Sequence, residues 1–273
     1  MMIMDDLVVL RGGGDIATGI AHRLHRSGFK VLILDIEKPT MVRRTVSFAS
    51  AIFDGSYIID GVKAVNATSI EDIKLIWNDN NIPVIIDNDL QILNEIKPDI
   101  LVDAILAKKN LGTKKDIAPI TIGVGPGFSA GDDVDLVVET CRGHYLGKVI
   151  FESEAITNTG IPGIIAGYGK ERVLRSPCEG IIKNILEIGA IVKKGDIVSY
   201  VNGQPVEATL DGVLRGQIMD GLYVYENFKI GDIDPRGNVE HCFSISDKAR
   251  AVGGGVLEAI LYLKKERESV NGL

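Results

Sequence analysis

Residues 7–35 read LVVLRGGGDIATGIAHRLHRSGFKVLILD. The two short apolar runs, LVVL and VLIL, predict buried strands, and the apolar residues between them recur at helical spacing. Gly12, Gly14 and Ala17 fit the pattern G-x-G-x-x-A, and Asp35 ends the second run. Strand, glycine turn, helix, strand and acid in this order are typical of the dinucleotide-binding βαβ unit. The stretch therefore predicts an α/β protein that begins with a Rossmann-like parallel sheet.

Each position of this unit has a physical role in binding a nucleotide. A tight turn needs glycine at position 12, and a glycine at position 14 lets the backbone approach a pyrophosphate. The free N–H groups at the start of the helix would hold the anion. Asp35 would bind the ribose and would disfavour a 2′-phosphate, which points to NAD or another adenine nucleotide. The predicted cofactor-binding residues here are Gly12, Gly13, Gly14, Asp15 and Asp35, and the competing interpretation is a similar domain whose crevice holds no ligand.

Composition excludes several classes of function. The 273 residues are 45% hydrophobic and 25% charged, as in ordinary globular proteins, and the net charge of −7 argues against nucleic-acid binding. No apolar run approaches the roughly 18 residues that span a bilayer, and no signal peptide is visible, so we expect a cytoplasmic protein without membrane contact. Three widely spaced cysteines predict neither a disulfide framework nor a zinc site, and no metal is expected.

Residues 1–112 alternate between strand and helix patterns and form the predicted nucleotide-binding domain. Arg43 and Arg44 follow the second strand, where a ligand crevice opens in such sheets, and could bind phosphate by paired hydrogen bonds. A solvated basic turn that begins a helix running to about Phe53 is the equally weighted alternative. The apolar residues at 90–96 predict a further helix.

Residues 113–172 form a glycine-rich β region, in which residues 145–151 predict a strand. Gly125, Gly127 and Arg142 lie in loops suited to a second ligand contact, although tight β-turns need the same residue types. These loops follow directly after the α/β strands. We therefore expect them to share one interdomain cleft with the glycine turn, in which Arg43, Arg44 and Arg142 attract a small phosphorylated ligand.

Residues 173–240 contain an internal repeat. Its halves read SPCEGII and ATLDGVL at their starts and end in KKGD and KIGD turns. They resemble the barrel-sandwich hybrid module of biotinyl and lipoyl carriers. The hairpin between the halves, residues 201–205, lacks the lysine that those carriers modify, so we expect neither biotin nor lipoate.

Residues 241–273 end the chain in a helix that we expect to pack back on the first domain. Three glycines inside a helix would together cost about 3 kcal/mol relative to alanine. Gly253, Gly254 and Gly255 therefore predict a helix start or a close backbone approach.

Several motifs together resemble the accessory proteins of the selenium-dependent molybdenum hydroxylase system, the YqeB family. They are RGGGDIATG at residues 11–19, EKPT at 37–40, RRTVSF at 43–48, GPGF at 125–128, ETCRGH at 139–144 and VGGG at 252–255. The resemblance covers nearly the whole chain. It implies a cytoplasmic protein that helps to mature a selenium- and molybdopterin-containing hydroxylase, which would be its partner. It supplies no catalytic residues.

Two functions from different classes remain open at this stage. The first is an accessory protein that binds a nucleotide or phosphorylated cofactor in a Rossmann crevice. The alternative is an NAD-dependent oxidoreductase that acts on a small molecule, for which no acid–base pair is evident. The sequence assigns no catalytic residue, and it leaves open whether the protein is an enzyme and whether it forms a homo-oligomer.

Overall fold

The computed structural model describes residues 6–157 and 163–271, and they divide into two compact units. Unit 1 contains the described residues of 6–37, 48–157 and 245–271, and unit 2 those of 38–47 and 163–244. Both strands and helices occur, and a large sheet of parallel and antiparallel strands dominates unit 1. The predicted α/β class is confirmed.

Unit 1 contains a nine-stranded sheet, a two-stranded sheet and four α-helices. The strands are β1 (Leu7–Arg11), β2 (Lys30–Asp35), β3 (Ser56–Ile59), β4 (Val62–Ala67), β5 (Ile82–Ile86), β6 (Ile100–Asp103), β7 (Ile120–Val124), β8 (Ser129–Ala130), β9 (Leu136–Val138), β10 (Val149–Ile150) and β11 (Ser153–Glu154). The helices are α1 (Asp15–Arg26), α2 (Ala51–Asp54), α3 (Ile70–Asn78) and α4 (Asp247–Asn271).

The large sheet has the strand order β10-β9-β7-β6-β1-β2-β5-β4-β3. Its seven inner strands pair in parallel, and the edge strands β10 and β3 pair antiparallel. The central strands are apolar on both faces because both faces are covered, as in most parallel sheets. One face packs against α1 and α4, and the other packs against α3. The predicted order of strand, glycine turn, helix and strand in residues 7–35 is confirmed.

Helix α4 begins before its three glycines, so their prediction as a helix start is wrong. The alternative interpretation, a close backbone approach, is confirmed. A Cβ added at Gly253 would lie 2.7 Å from the carbonyl oxygen of Gly19 in α1. A Cβ at Gly255 would overlap the carbonyl oxygen of Gly147. The glycines therefore let α4 approach its neighbours at backbone distance.

Two predicted helices are replaced by shorter turns. Residues 43–53 form 3₁₀ turns at Arg44–Val46 and Phe48–Ser50 before the short α2. The hydroxyl of Thr18 accepts the N–H of Phe48, and the carbonyl oxygen of Gly13 accepts the N–H of Ala49, so these N–H groups are not available to a longer helix.

The helix predicted over residues 90–96 is a 3₁₀ turn, Gln91–Asn94. Leu90 has a left-handed φ of +59°, which a right-handed helix does not allow, and the carboxylate of Asp87 accepts the N–H groups of Asp89, Gln91 and Ile92 at the start of the turn. The strand predicted over residues 145–151 is also shorter, because only Val149–Ile150 pairs with β9.

Unit 2 consists of two four-stranded sheets, with orders β12-β19-β17-β14 and β16-β15-β13-β18. Its strands are β12 (Val173–Arg175), β13 (Gly180–Asn184), β14 (Ile191–Val192), β15 (Ile197–Val201), β16 (Gln204–Glu207), β17 (Gly212–Gln217), β18 (Tyr223–Val224) and β19 (Lys229–Asp234). The two halves of the repeat exchange sheets. In the first half, β13 and β15 belong to one sheet and β14 belongs to the other. In the second half, β17 and β19 belong to the sheet that contains β14, and β18 belongs to the sheet that contains β13.

Candidate functional site

The glycine turn between β1 and α1 is fixed by backbone hydrogen bonds. The Gly12 N–H donates to the carbonyl oxygen of Leu34 at 2.7 Å, and the φ angle of Gly12 is +94°, a left-handed value that favours glycine. A Cβ at Gly12 would lie 3.0 Å from the carbonyl oxygen of Ala104, and one at Gly13 would lie 3.0 Å from the backbone N of Ala49. Folding alone therefore accounts for the first two glycines.

Gly14 differs from its two neighbours. It caps the N-terminus of α1 with φ −66° and ψ −176°, a conformation open to other residues. A Cβ added there would have no neighbour within 4 Å. No side chain caps the first turn of α1. Neither backbone conformation nor packing requires glycine at this position, and the space beside it is open.

Asp35, the predicted ribose ligand, is held beside the turn. Its Oδ2 accepts the N–H of Gly13 at 2.7 Å, and its Oδ1 accepts the N–H of Ile36 at 2.8 Å. Burial raises the pKa of Asp35, and these two backbone hydrogen bonds oppose the increase. Each carboxylate oxygen keeps a second lone pair for another donor, such as a hydroxyl.

The strand order places the turn where ligands bind in open α/β sheets. The chain runs from β1 to β2 on one side and later returns to β6 on the other side of β1. The loops after β1 and β6 therefore leave the sheet at a reversal of strand order, and a crevice forms outside the carboxyl ends of such strands. Gly12, Gly13, Gly14 and Asp15 all lie in the segment that leaves β1 at this point.

A buried polar triad lies at the carboxyl ends of these two strands. Arg11 and Asp103 are register partners on β1 and β6, and their side chains form an ion pair of 3.1 Å. Thr113 accepts from Arg11 and donates to Asp103 at 2.6 Å. Because all three side chains are buried and bonded to one another, they tie the loop after β6 to the strand that carries the glycine turn.

The glycine-rich loop after β7 is explained by packing within unit 1. A Cβ at Gly125 would lie 2.7 Å from the hydroxyl of Thr140, and one at Gly127 would lie 2.6 Å from the Cα of Lys109. Arg142 donates to both carboxylate oxygens of Asp247, at 2.8 and 3.2 Å. These contacts agree with the structural interpretation of the loop, and no ligand contact is needed to explain its glycines.

Arg43 and Arg44 belong to unit 2, whereas the other predicted site residues belong to unit 1. Arg43 donates to the carbonyl oxygen of His241 at 2.8 Å, and Arg44 donates to Glu187 at 2.9 Å. The shared cleft that the sequence suggested stays a prediction.

Sequence reasoning missed two residues near this end of the sheet. Glu139 follows β9 and is 2% exposed, and its carboxylate oxygens accept the N–H groups of Cys141 and Ile156 at 2.6 and 2.8 Å. Lys248 lies in the first turn of α4, and Asp15, Cys141 and Glu139 are among the groups whose charges act on it. More than two hundred residues separate Lys248 from the glycine turn, and no local pattern connects them.

Two further structural findings concern metals and membranes. In residues 6–157 and 163–271, no three His, Cys, Asp or Glu side chains are grouped so that they could hold a metal ion. His22 approaches the carbonyl oxygen of Asp60 at 3.3 Å, and burial lowers the pKa of both His22 and His25. None of the helices in the described part of the chain combines the length and apolar character that crossing a bilayer requires.

Comparison with curated proteins shows a sequence relative of this chain. No family model matches the chain. The chain is similar to the uncharacterized protein YqeB of Escherichia coli (strain K12), with 51% identity over 257 residues. The match covers 94% of this chain and 48% of that protein, so the chain spans about half the length of this curated relative. The similarity supports the resemblance to YqeB-like proteins that the motifs suggested.

Two solved structures show a distant likeness to this chain. One is an aspartoacylase family protein from Mesorhizobium loti, 9% identical, with 84% of this chain and 85% of that chain covered at a TM-score of 0.26. Another is the product-bound ectoine utilization protein EutE (DoeB) from Ruegeria pomeroyi, 12% identical, with 84% and 85% covered at a TM-score of 0.27. Likenesses at this level assign no activity to the chain.

Proposed function

We propose that unit 1 binds a nucleotide or a phosphorylated cofactor in a Rossmann crevice, and that the protein is an accessory protein that matures a selenium-dependent molybdenum hydroxylase. The observation that carries the binding proposal is Gly14. Its conformation suits any residue and its side-chain position is open, so a ligand that approaches the backbone is the remaining reason for glycine there.

Asp35 and the strand order support the same site. The carboxylate is fixed by the N–H of Gly13, so it stands beside the turn with lone pairs available to a ribose diol. The turn lies at a reversal of strand order, where nucleotides bind in sheets of this kind. The uncapped first turn of α1 offers N–H groups and a positive dipole end to a phosphate.

A valine at position 14 is expected to abolish nucleotide binding. Its side chain would occupy the space in which a pyrophosphate lies against the turn, whereas its backbone would keep the native conformation. Thermal-shift titration with NAD and ADP checks this, because a ligand that binds only the folded state raises the melting temperature with concentration. We expect a ligand-dependent shift for the wild type and none for Gly14→Val.

The matched control is Gly254→Val in α4. A Cβ at Gly254 would meet only the guanidinium carbon of Arg23, at 4.0 Å, so this position is also open, and it lies in the same unit. Gly254→Val is expected to keep the wild-type ligand shift. Equal ligand shifts in wild type and Gly14→Val would place the binding site elsewhere.

The accessory role is tested in cells that produce a molybdenum hydroxylase. We expect hydroxylase purified from a strain that lacks this chain to carry less selenium and less molybdenum cofactor per protein than enzyme from the complemented strain. Complementation with Gly14→Val should fail if nucleotide binding serves maturation. Equal cofactor loading in both strains would contradict the accessory role.

An NAD-dependent oxidoreductase is the second candidate, and Asp35 is the observation that favours it, since a carboxylate at this position suits the ribose of NAD. Oxidation of NADH by the isolated protein, in the presence of small carbonyl compounds, separates the two candidates. Turnover that is lost in Gly14→Val would favour the oxidoreductase over the accessory role.

For unit 2 we propose the barrel-sandwich hybrid fold without a carrier function. Support comes from the two four-stranded sheets, between which the two halves of the repeat exchange their strands. The hairpin between β15 and β16 turns at Asn202 and Gly203, and residues 201–205 contain no lysine. The intact mass of protein made in a host with biotin and lipoate ligases is expected to equal the sequence mass. A covalent biotinyl or lipoyl adduct would refute this prediction.

A further inference from the structure

Lys248 lies at the same end of the sheet as the glycine turn. It follows Asp247, which forms an ion pair with Arg142 in the loop after β9. A Cβ at Gly19 in α1 would lie 2.6 Å from the Cβ of Ala249, so the first turn of α4 packs directly on α1. The charge of Asp15, the first residue of α1, acts on Lys248. Three separate segments of unit 1 therefore meet around this lysine.

The charged neighbours of Lys248 have partners of their own. Both carboxylate oxygens of Glu139 accept backbone N–H groups, and Asp247 is bonded to Arg142 through both of its oxygens. Asp15 is itself engaged in an interaction. Lys248 is half-buried, and within the described residues its ammonium group makes neither a hydrogen bond nor an ion pair. It is therefore the one group of this cluster with three unused donors.

Burial shields the ammonium group of Lys248 from water, and no hydrogen bond within the described residues replaces the lost hydration. Burial lowers the pKa of Lys248, and the charge of Arg142 lowers it further, whereas the charges of Asp15, Cys141 and Glu139 raise it only in part. An anion placed against the ammonium group would supply the missing hydrogen bonds and favour the charged form.

Lys248 and Asp35 lie on opposite sides of the glycine turn. Asp35 ends β2, whereas α4 packs on α1 and contacts β7, β9 and β10, which lie beyond β6 on the other side of β1. Because α1 and α4 contact each other at Gly19 and Gly253, their axes lie closer than the about 8–10 Å that separates most packed helices. A ligand whose first phosphate lies at the start of α1 therefore needs only one or two further phosphates to reach the start of α4.

We propose that Lys248 binds the terminal phosphate of a nucleoside di- or triphosphate whose ribose lies at Asp35 and whose first phosphate lies at the glycine turn. This assignment rests on the proposed nucleotide site and specifies its ligand. The ligand is a nucleotide with a free, multiply charged phosphate end. NAD, whose second phosphate carries another nucleoside, fits it less well.

Calorimetric titration of the full chain with ADP and AMP tests the assignment. A hydrogen-bonded charge of this kind contributes about 1.5–3 kcal/mol, so the Kd for ADP should rise about 10- to 150-fold in Lys248→Gln. The Kd for AMP should change less than twofold, because AMP has no terminal phosphate that reaches α4. Lys248→Arg should restore part of the affinity for ADP. Lys265→Gln removes the same charge from an exposed position of α4 and should bind ADP like the wild type.

The outcomes separate this assignment from the function on which it rests. If the wild type binds neither ADP nor AMP, the nucleotide site itself is wrong. If the wild type binds ADP and Lys248→Gln binds it equally well, the site stands and Lys248 has no part in it. If AMP loses as much affinity as ADP, the lysine does not act on a terminal phosphate. Melting temperatures of each variant without ligand show whether the fold is intact.

Discussion

Replacing Gly255 by alanine is expected to destabilise unit 1, although alanine is a better helix former than glycine. In an unpacked helix the change would stabilise the protein by about 1 kcal/mol. Here the added Cβ would overlap the carbonyl oxygen of Gly147 and lie 2.9 Å from a side-chain carbon of Val138. Helix α4 would have to move away from α1 and β9, with which it shares the buried residues of one core. We expect a loss of about 2–3 kcal/mol, as for overpacked cores.

The neighbouring glycine provides a control of opposite sign. Gly254→Ala places a Cβ 4.0 Å from the nearest atom, the guanidinium carbon of Arg23, so only the conformational effect remains. We expect Gly254→Ala to stabilise unit 1 by about 0.5–1 kcal/mol.

The chain has one tryptophan, Trp77, which lies in α3 of unit 1 and donates to the carbonyl oxygen of Val31 at 2.8 Å. Urea unfolding followed by its fluorescence therefore reports on unit 1. If Gly255→Ala and Gly254→Ala shift the midpoint of urea unfolding in the same direction, that result would contradict the close approach of α4 at Gly255.

The sequence predicted the first βαβ unit because its signals are local. The apolar runs, the glycines and Asp35 lie within residues 7–35, and strand and helix periods can be distinguished there without knowledge of other segments. The internal repeat of unit 2 was visible for the same reason, since the interval from Gly180 to Gly189 equals that from Gly212 to Gly221. The prediction of a second turn at KIGD is wrong, because these residues lie in β19.

The sequence could not show which segments meet. A side chain at Gly19 would overlap Ala249, and a side chain at Gly253 would overlap the backbone of Gly19. Gly19 is more than two hundred positions away from both Ala249 and Gly253 in the sequence. Lys248 was missed for this reason. The helix predicted over residues 90–96 failed for a local reason instead, because Leu90 has a left-handed φ of +59° and only Gln91–Asn94 form a 3₁₀ turn.

The glycine-rich loop after β7 shows that one composition can serve two purposes. Gly125 and Gly127 suggested a ligand loop, and both glycines are explained by close contacts with Thr140 and Lys109. Gly14 gave a stronger signal in the sequence than these two residues did, because it fits the pattern G-x-G-x-x-A between a strand and a helix. The structure distinguishes these three glycines, because a Cβ at Gly14 would have no neighbour within 4 Å, whereas one at Gly125 or Gly127 would overlap other atoms.

The second large effect is expected at Asp234 in unit 2. This carboxylate is fully buried and lies between two guanidinium groups. It accepts from Nε and Nη2 of Arg236 at 2.9 and 2.6 Å, and it is 3.3 Å from Nη1 of Arg215. Burial alone would raise the pKa of Asp234, but the hydrogen bonds and charges of the two arginines outweigh it and lower the pKa from 3.8 to about 2.

A carboxylate with a lowered pKa in the folded state stabilises the protein above its unfolded pKa. The contribution of Asp234 should therefore be complete above about pH 5 and should decrease as the pH falls through 3.8 towards 2. A shift of this size corresponds to about 2 kcal/mol at neutral pH. Acid is thus expected to weaken unit 2 over this range.

Asp234→Asn removes the charge but keeps the shape, and we expect it to cost about 3–5 kcal/mol at pH 7, because the buried Arg215 loses its ion-pair partner. Burial already lowers the pKa of Arg215, and within the described residues its Nε has no hydrogen-bond partner. The charge of Asp232 also favours the charged guanidinium, but Asp232 is itself paired with Arg172. Glu207→Gln removes an exposed carboxylate from the same unit and should leave stability nearly unchanged.

Urea unfolding of both variants between pH 3 and pH 7, followed by circular dichroism for the β strands and by Trp77 for unit 1, measures the effect. The loss in Asp234→Asn should diminish as the pH falls to 3, because protonation of Asp234 in the unfolded wild type then removes part of its stabilising contribution. A loss that is equally large at pH 3 and pH 7 would show that Asp234 stabilises unit 2 through its hydrogen bonds and not through its charge.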